Sequence, residues 1–142
     1  MDIRIRPFSF PEDYDAVYLL WAKAGNGIHL RISDEFDEIR KKVARDPDLF
    51  LIAKADDLII GAVMGGFDGR RGMMYHLAVA PAYRRQGIAH LLVDVLEEKL
   101  KEKGCIRYYL LVTKDNEEAI NFYKSRGWED MDDLFVFAKS LN

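Results

Sequence analysis

The chain has 142 residues and a mass of 16.4 kDa, a size that suits one domain with its own core. An apolar content of 49% and a net charge of −3 exclude a disordered chain and disfavour a nucleic-acid binder, which needs a basic face. The single cysteine, Cys105, excludes an internal disulfide, and the longest uncharged apolar run is too short to span a bilayer. We therefore expect one soluble domain over residues 1–142 with a cytoplasmic location, and no nucleic-acid or membrane partner.

The first half of the sequence carries both helical and strand patterns. Residues 3–6 alternate apolar and charged side chains, which is typical of a half-buried strand. Pro11 and Gly25 bound a helix with one apolar face, and Ser33 and Pro47 bound a weaker helix. Three apolar runs joined by short turns then predict an antiparallel meander, with strands at Leu49–Ala55, Leu58–Phe67 and Met73–Val79.

The second half predicts a β-α-β unit followed by a short helix and a last strand. Residues 87–103 carry a regular apolar stripe that ends at Gly104, so they predict the longest helix. The other predicted elements are a strand at Ile106–Val112, a helix at Asn116–Arg126 and a strand at Leu134–Ala138. The order β-α-α-β-β-β-α-β-α-β predicts an α+β fold.

The junction between the third strand of the meander and the long helix has the features of an anion site. Gly87 at the start of the helix lets backbone N–H groups approach an anion closely, and Arg84 and Arg85 add positive charge. A plain strand-to-helix turn with exposed arginines explains the same local pattern equally well, because one glycine is a weak signal.

Two motifs, in the right order of elements, give the chain a resemblance to a known family. The run Arg84-Arg85-Gln86-Gly87-Ile88-Ala89 matches the Gln/Arg-x-x-Gly-x-Gly/Ala signature of the GNAT superfamily of N-acetyltransferases, and residues 77–81 look like its bulged strand. Residues 116–128, NEEAINFYKSRGW, resemble its second motif. Residues 61–72 look like the small bacterial YpeA-type proteins, which are similar to the RimI-like enzymes. The resemblance implies a mixed, mostly antiparallel central sheet, flanked by helices, whose strands splay apart after a β-bulge.

The resemblance also implies that the chain binds acetyl-coenzyme A as a cosubstrate. In the family, backbone amides at the positions of residues 85–89 hold the pyrophosphate, and the bulged strand pairs with the pantetheine arm. The side-chain amide of the first residue of the second motif contacts the same arm. The implied cofactor-binding residues are Leu77, Ala78, Val79, Arg84, Arg85, Gln86, Gly87, Ile88, Ala89 and Asn116. No spacing of cysteines and histidines indicates a metal site.

Tyr123 occupies the position of the family's general acid. By itself it is one of seven tyrosines, and most tyrosines on such a helix face pack with the hydroxyl near a partner. Attack of an amine on a thioester expels a thiolate, whose conjugate acid has a pKa of about 8.5. A phenol can supply the proton that this thiolate takes up. A backbone N–H at the bulge, that of Val79, would stabilise the developing oxyanion.

The general base is left open by the sequence. Many relatives carry a carboxylate in one of two strands, which correspond to residues 73–79 and 106–112 here, and neither range contains Asp or Glu. His76 and His29 are candidate bases. Deprotonation through water by an acidic side chain is a further alternative, for which the candidates are Asp34, Glu35 and Glu38.

The sequence indicates the class of acceptor but not its identity. Leu111 stands where the RimI-like enzymes that acetylate ribosomal proteins carry Glu, which argues against that substrate. The predicted acceptor is a primary amine of a small molecule or a protein. Because dimers are common in the family, a homodimer stays open. The alternative function is a non-catalytic module that binds or senses acyl-coenzyme A.

Overall fold

Five strands form one sheet in which the spatial order follows the chain, β1-β2-β3-β4-β5. The computed structural model describes residues 2–142, without the side chain of Asn26, and Met1 lies outside the described residues. The strands are β1 (Ile3–Pro7), β2 (Phe50–Ala55), β3 (Leu58–Phe67), β4 (Gly72–Val79) and β5 (Tyr108–Tyr109). The first four strands pair antiparallel and β5 runs parallel to β4, so the predicted mixed, mostly antiparallel sheet is confirmed.

The helices lie between and after these strands. They are α1 (Tyr14–Ala22), α2 (Phe36–Arg45), α3 (Ile88–Glu102) and α4 (Glu117–Ser125). The chain forms two compact units, of which the first ends at Leu111 and the second begins at Val112. The single domain expected over residues 1–142 stays a prediction.

The two faces of the sheet in the first unit carry different helices. A Cβ added at Gly61 of β3 would lie 3.1 Å from the Leu92 side chain of α3, so this position faces α3. Because successive strand residues point to opposite faces, the next residue, Ala62, faces the other way. Ala62 shares a buried core with Trp21 of α1 and Ile39 of α2. Helices α1 and α2 therefore cover one face, and α3 covers the opposite one.

A β-bulge interrupts β4. Strands β3 and β4 pair Met64 with Tyr75 but Ala62 with Ala78, so β4 holds one residue more than β3 over this stretch. His76, within the bulge, has a φ of +50°, in the left-handed region. A shift of one residue exchanges the faces of all the side chains that follow. The bulge thereby places Ala78 in the core beneath α1.

The strand predicted at Ile106–Val112 is much shorter in the structure. It is reduced to the two residues of β5, which pair only with Gly72 and Met73 of β4. A strand exists only where a neighbouring strand satisfies its backbone hydrogen bonds, and pairing with β4 ends after these two residues. The apolar run around Tyr108 therefore overstated the length of the strand.

The prediction of a strand at Leu134–Ala138 is wrong. These residues have no regular secondary structure, and the side chains of Phe135 and Phe137 are 88% and 91% exposed. The apolar composition satisfies the local preference for a strand, but none of the strands formed by residues 2–142 pairs with the segment. Local composition alone cannot supply that partner.

The second unit is built around α4, whose predicted existence is confirmed. Asn116 immediately precedes the helix, and its Oδ1 accepts a hydrogen bond from the N–H of Ala119 at 3.2 Å. This bond satisfies one of the unpaired donors at the start of the helix. The ring of Tyr123 packs edge-on against Phe122 and Trp128, with centroids 5.3 and 5.7 Å apart.

Candidate active site

The loop between β4 and α3 holds the predicted anion site. A short 3-10 turn, Pro81–Tyr83, follows β4, and Gly87 directly precedes α3. Arg85 and Gly87 both have left-handed backbone, with φ of +62° and +79°. Such residues occur in backbone loops that form anion-binding concavities. A Cβ added at Gly87 would meet no heavy atom within 4 Å, so the space beside this residue is open.

Backbone donors of this loop are available to a ligand. In the part of the chain that the structure describes, the N–H groups of residues 85–89 have no hydrogen-bond acceptor, whereas the N–H of Leu91 binds the carbonyl of Gly87 at 3.1 Å. The first N–H groups of a helix lack partners within the helix, and the helix dipole makes this end positive. The arrangement fits a pyrophosphate, which brings negative charge and several acceptor oxygens.

The side chain of Arg84 is bound to two backbone carbonyls. Its Nε donates to the carbonyl oxygen of Val79 at 3.1 Å, and its Nη2 lies 3.4 Å from the carbonyl oxygen of Ala24. The guanidinium thus links the loop to the end of β4 and to the segment that follows α1. These two bonds brace the loop, and the side chains of both Arg84 and Arg85 are exposed.

The end of β4 offers an unpaired backbone edge. Within the described residues, β5 pairs with Gly72 and Met73 and no other strand lies on that side of β4. The N–H of Ala80 binds the carbonyl of Ile60 at 2.7 Å, so the backbone of Ala80 faces β3. In an antiparallel pair the backbone groups of the preceding residue, Val79, then face the opposite, open edge. An extended ligand arm can pair there as an added strand does.

The remaining predicted contact residues of the first unit differ in burial. The side chains of Ala78 and Ile88 are 5% and 2% exposed and belong to the core. Leu77 and Ala89 are half-buried, and Gln86 is exposed. For the two buried residues, any contact with a ligand therefore has to involve the backbone.

A histidine and a carboxylate meet at the bulge of β4. Nε2 of His76 lies 2.8 Å from Oδ1 of Asp34, whose side chain is 5% exposed. Oδ2 of Asp34 accepts the N–H of Arg31 at 3.1 Å, and the hydroxyl of Tyr14 donates to the backbone oxygen of Asp34 at 2.9 Å. The ring of Trp21 lies edge-on to the imidazole, with centroids 5.0 Å apart. The imidazole is therefore held by a hydrogen bond and by an aromatic contact.

Nothing in the sequence pairs His76 with Asp34, although each is a candidate base by itself. The two residues are 42 positions apart, and no spacing or motif connects them. The usable signals were a histidine in an apolar strand and an acidic residue before a predicted helix. The other candidates lack such a pairing: His29 is exposed, and Glu38 forms an ion pair within α2.

The predicted residues of the second unit are Asn116 and Tyr123. The capping bond uses Oδ1 of Asn116 and leaves the hydrogens of its amide nitrogen for a ligand. Burial raises the pKa of Tyr123 to about 12. Its hydroxyl therefore stays protonated at neutral pH, which is the form that a general acid needs.

The described residues form neither a metal cluster nor a membrane-spanning helix. No group of three or more His, Cys, Asp or Glu side chains there is placed to hold a metal ion. None of the described helices has the length and apolar character to cross a membrane, and the longest, α3, has 15 residues.

Comparisons with known proteins agree with the fold. The model of the acetyltransferase (GNAT) family matches residues 11–128. An acetyltransferase from Pectobacterium atrosepticum is 40% identical over 121 residues, which are 85% of this chain and 84% of that protein. The PaiA N-acetyltransferase of Thermoplasma acidophilum, solved with coenzyme A, has a TM-score of 0.81 at 24% identity, covering 93% of this chain and 92% of that one. An aminoglycoside antibiotic 6'-N-acetyltransferase from Acinetobacter haemolyticus has a TM-score of 0.76 at 21% identity, covering 100% of both chains.

Proposed function

The chain belongs to the GNAT acetyltransferase family, and from that premise we propose that it transfers the acetyl group of acetyl-coenzyme A to a primary amine. The observation that carries this proposal is the loop before α3. Its backbone N–H groups at residues 85–89 lack acceptors among the described residues, and the space beside Gly87 is open. A pyrophosphate supplies the charge and the acceptors that such a helix start favours.

The open edge of β4 supports a place for the pantetheine arm. The backbone groups of Val79 face this edge, and its carbonyl accepts from Arg84. The N–H of Val79 is then the donor that we propose for the oxyanion that develops on the thioester carbonyl. Leu77 and Asn116 are the further residues that we propose as contacts of the arm.

Tyr123 is the residue that we propose as general acid. Its pKa of about 12 keeps the phenol protonated. The same pKa makes proton transfer to a thiolate unfavourable, since an ordinary thiol has a pKa of about 8.5. The hydroxyl would therefore act chiefly by donating a hydrogen bond to the departing sulfur, with the proton following as the carbon–sulfur bond breaks. This lowers the effect expected from the residue without removing it.

The acceptor is proposed as a class. Leu111 carries no carboxylate and its side chain is 66% exposed, so we propose that the N-termini of ribosomal proteins are not efficient acceptors. The remaining acceptors are amines of small molecules or of other proteins. A cytoplasmic location is proposed from the single cysteine, and a homodimer from the family.

A second function is supported by the composition of β4, which contains no Asp or Glu. A chain without a base would bind acyl-coenzyme A and respond to it without turnover. The two functions differ in one observable quantity, the release of free coenzyme A thiol in the presence of an amine.

The deciding experiment incubates the purified chain with acetyl-coenzyme A and three acceptors in turn: spermidine, kanamycin and a peptide with an N-terminal alanine. Thiol release and the gain of an acetyl group, read by mass spectrometry, should both occur with spermidine or kanamycin. Binding of acetyl-coenzyme A without turnover on any acceptor would favour the sensing module. Neither binding nor turnover would contradict both functions.

A further inference from the structure

We infer that His76, positioned by Asp34, is the general base that takes a proton from the acceptor amine. The inference rests on the proposed acetyl transfer and supplies the base that the sequence leaves open. It is carried by the hydrogen bond between the two side chains, by the conformation of the bulge and by the place of His76 in β4, three residues before the N–H of Val79 that we propose for the oxyanion.

The hydrogen bond determines which nitrogen of the ring can accept a proton. A carboxylate has no proton to give, so in the contact of 2.8 Å the Nε2–H of His76 is the donor and Oδ1 of Asp34 the acceptor. A neutral imidazole carries one proton, and Nδ1 therefore holds a lone pair. The side chain of His76 is 19% exposed, so the protein does not enclose it completely.

Asp34 is itself held in one orientation, which makes it a positioning residue. Its Oδ2 accepts the N–H of Arg31 at 3.1 Å, so the carboxylate is fixed from the side opposite to the imidazole. Two titratable side chains lie near His76 on the elements packed against it. Asp34 is hydrogen-bonded to the imidazole, and the hydroxyl of Tyr14 in α1 donates to the backbone oxygen of Asp34. The ring of Trp21, which is 1% exposed, restricts the imidazole on the α1 side.

The backbone of the bulge has an uncommon conformation. A φ of +50° is adopted by only a few per cent of residues other than glycine, among which asparagine, aspartate and histidine are enriched. Such a conformation persists where the surroundings determine it, and it concentrates at functional sites. Here it turns His76 toward Asp34, one residue before the backbone that we propose to pair with the pantetheine arm.

The proton balance of the reaction is complete with this assignment. An acceptor R–NH3⁺ gives one proton to Nδ1 of His76, and the free amine forms a carbon–nitrogen bond at the thioester carbonyl. As the carbon–sulfur bond breaks, the thiolate receives a proton from the acid. The second amine proton leaves the adduct and restores the proton that the acid gave to the thiolate. The imidazolium returns its proton to water, and the net products are the amide, the thiol and one released proton.

Asp34→Asn tests the tautomer directly. The backbone N–H of Arg31 needs an acceptor, so the introduced amide turns its oxygen to Arg31 and its NH2 group to Nε2 of His76. The imidazole proton then moves to Nδ1, and the base is lost although the contact persists. The same substitution of Asp by Asn in a Ser-His-Asp catalytic triad also stabilises the wrong histidine tautomer.

The experiment compares His76→Asn, Asp34→Asn and, as the matched control, His29→Asn, in thiol release with the best acceptor of the wild-type chain. Asparagine tolerates a left-handed backbone, so His76→Asn removes the base without adding strain. We expect kcat to fall about 10²-fold or more in His76→Asn and at least about tenfold in Asp34→Asn. The KM for acetyl-coenzyme A should change little, and His29→Asn should behave as wild type. In the pH profile of kcat/KM, His76→Asn should lose the ascending limb.

A long-range proton–nitrogen NMR spectrum of the wild-type chain serves as the second measurement, because it needs no acceptor and no variant. It should show His76 with its proton on Nε2 when neutral. The inference would be overturned if the neutral imidazole of His76 carried its proton on Nδ1. It would also be overturned if folded His76→Asn kept the wild-type rate and pH profile. In both cases, turnover by the wild-type chain would still support acetyl transfer. Loss of activity in His29→Asn alone would also overturn the inference. No turnover by the wild-type chain would contradict the proposed function, and the inference with it.

Discussion

Arg84 donates from Nε to the carbonyl oxygen of Val79 over 3.1 Å, and this bond joins the proposed pyrophosphate loop to the proposed pantetheine edge. The same guanidinium reaches the carbonyl of Ala24 at 3.4 Å, so it also contacts the segment after α1. One exposed side chain thus sets the position of the loop relative to β4. These two bonds give it a bracing contact, and its predicted contact with the cofactor stays a prediction.

The first prediction follows from this bond. Arg84→Leu removes both carbonyl contacts and leaves the loop to move, and the two hydrogen bonds are worth about 0.5–1.5 kcal/mol each. We expect affinity for coenzyme A, measured by titration calorimetry, to fall about threefold to tenfold, together with a fall in Tm of a few degrees. Arg85→Leu is the control for the loss of charge alone. An equal or larger loss in Arg85→Leu would show that charge, not bracing, matters at this loop.

The second prediction concerns Tyr123→Phe, which keeps the ring packed against Trp128 and removes the hydroxyl. A general acid contributes about 10²- to 10⁴-fold, and a pKa of about 12 places this residue at the lower end. We expect kcat to fall about 10²-fold and the affinity for coenzyme A to change less than threefold. A variant with lower Tm but an unchanged kcat would assign Tyr123 to packing alone.

The third prediction is a change of stability with pH. The pKa of Tyr123 is about 12 in the folded state, whereas that of an unfolded tyrosine is about 10. The folded state therefore holds the proton more tightly. This contribution is complete below pH 10 and is lost as pH rises toward 12. By linkage, the wild-type chain should lose about 1.4 kcal/mol more than Tyr123→Phe between pH 8 and pH 11. Urea unfolding at both pH values measures the free energy of unfolding of each chain. An equal loss of stability in the wild-type chain and in Tyr123→Phe would contradict the raised pKa of Tyr123.

The fourth prediction concerns the turn before α1. Burial alone would raise the pKa of Asp13, but hydrogen bonds from the Arg6 guanidinium, at 2.7 and 3.1 Å, and from the N–H of Ser9 outweigh it, and the pKa is lowered. Asp13→Asn should therefore reduce stability by about 1.5–3 kcal/mol at neutral pH. Because the folded pKa is depressed, this difference persists down to the unfolded pKa and vanishes as pH falls through the folded one.

Thermal unfolding of the wild-type chain, Asp13→Asn and the exposed control Asp57→Asn between pH 7 and pH 2.5 checks this. The Tm values of wild type and Asp13→Asn should converge at the acid end, while Asp57→Asn follows the wild-type chain throughout. A gap that is constant across the whole range would mean that Asp13 acts by packing and not by its charge.

The loop and the long helix could be predicted because their signals are local. Gly87 marks the start of α3, and the apolar stripe that follows it requires a helix whatever surrounds it. The existence of the β4 bulge was implied only by the family resemblance. Its consequence, a left-handed His76, depends on the register of β3 against β4, which no single strand encodes.

What the sequence could not reveal depends on pairing between distant residues. The apolar runs at Tyr108 and Phe135 satisfy a strand pattern. Among the residues that the structure describes, however, only two of the first run pair with another strand and none of the second run does. The contact between His76 and Asp34 joins a strand to a turn 42 residues earlier. Such contacts follow from packing of α1 and α2 on the sheet, which local patterns do not specify.

The most direct test of the central claim, that the loop before α3 binds the pyrophosphate of acetyl-coenzyme A, is calorimetric binding to a pair of variants at Gly87. Asparagine and aspartate both tolerate the φ of +79°, and neither Cβ meets a heavy atom of the chain within 4 Å, so the two variants differ mainly by one negative charge. The same pair at Gly69, which has a φ of +100° and an open Cβ position in the turn after β3, is the matched control.

We expect Gly87→Asp to bind acetyl-coenzyme A at least about tenfold more weakly than Gly87→Asn, because two like charges close together repel by a few kcal/mol near a protein surface. The two variants at Gly69 should bind as the wild-type chain does. Equal affinities of folded Gly87→Asp and the wild-type chain for acetyl-coenzyme A would contradict the claim.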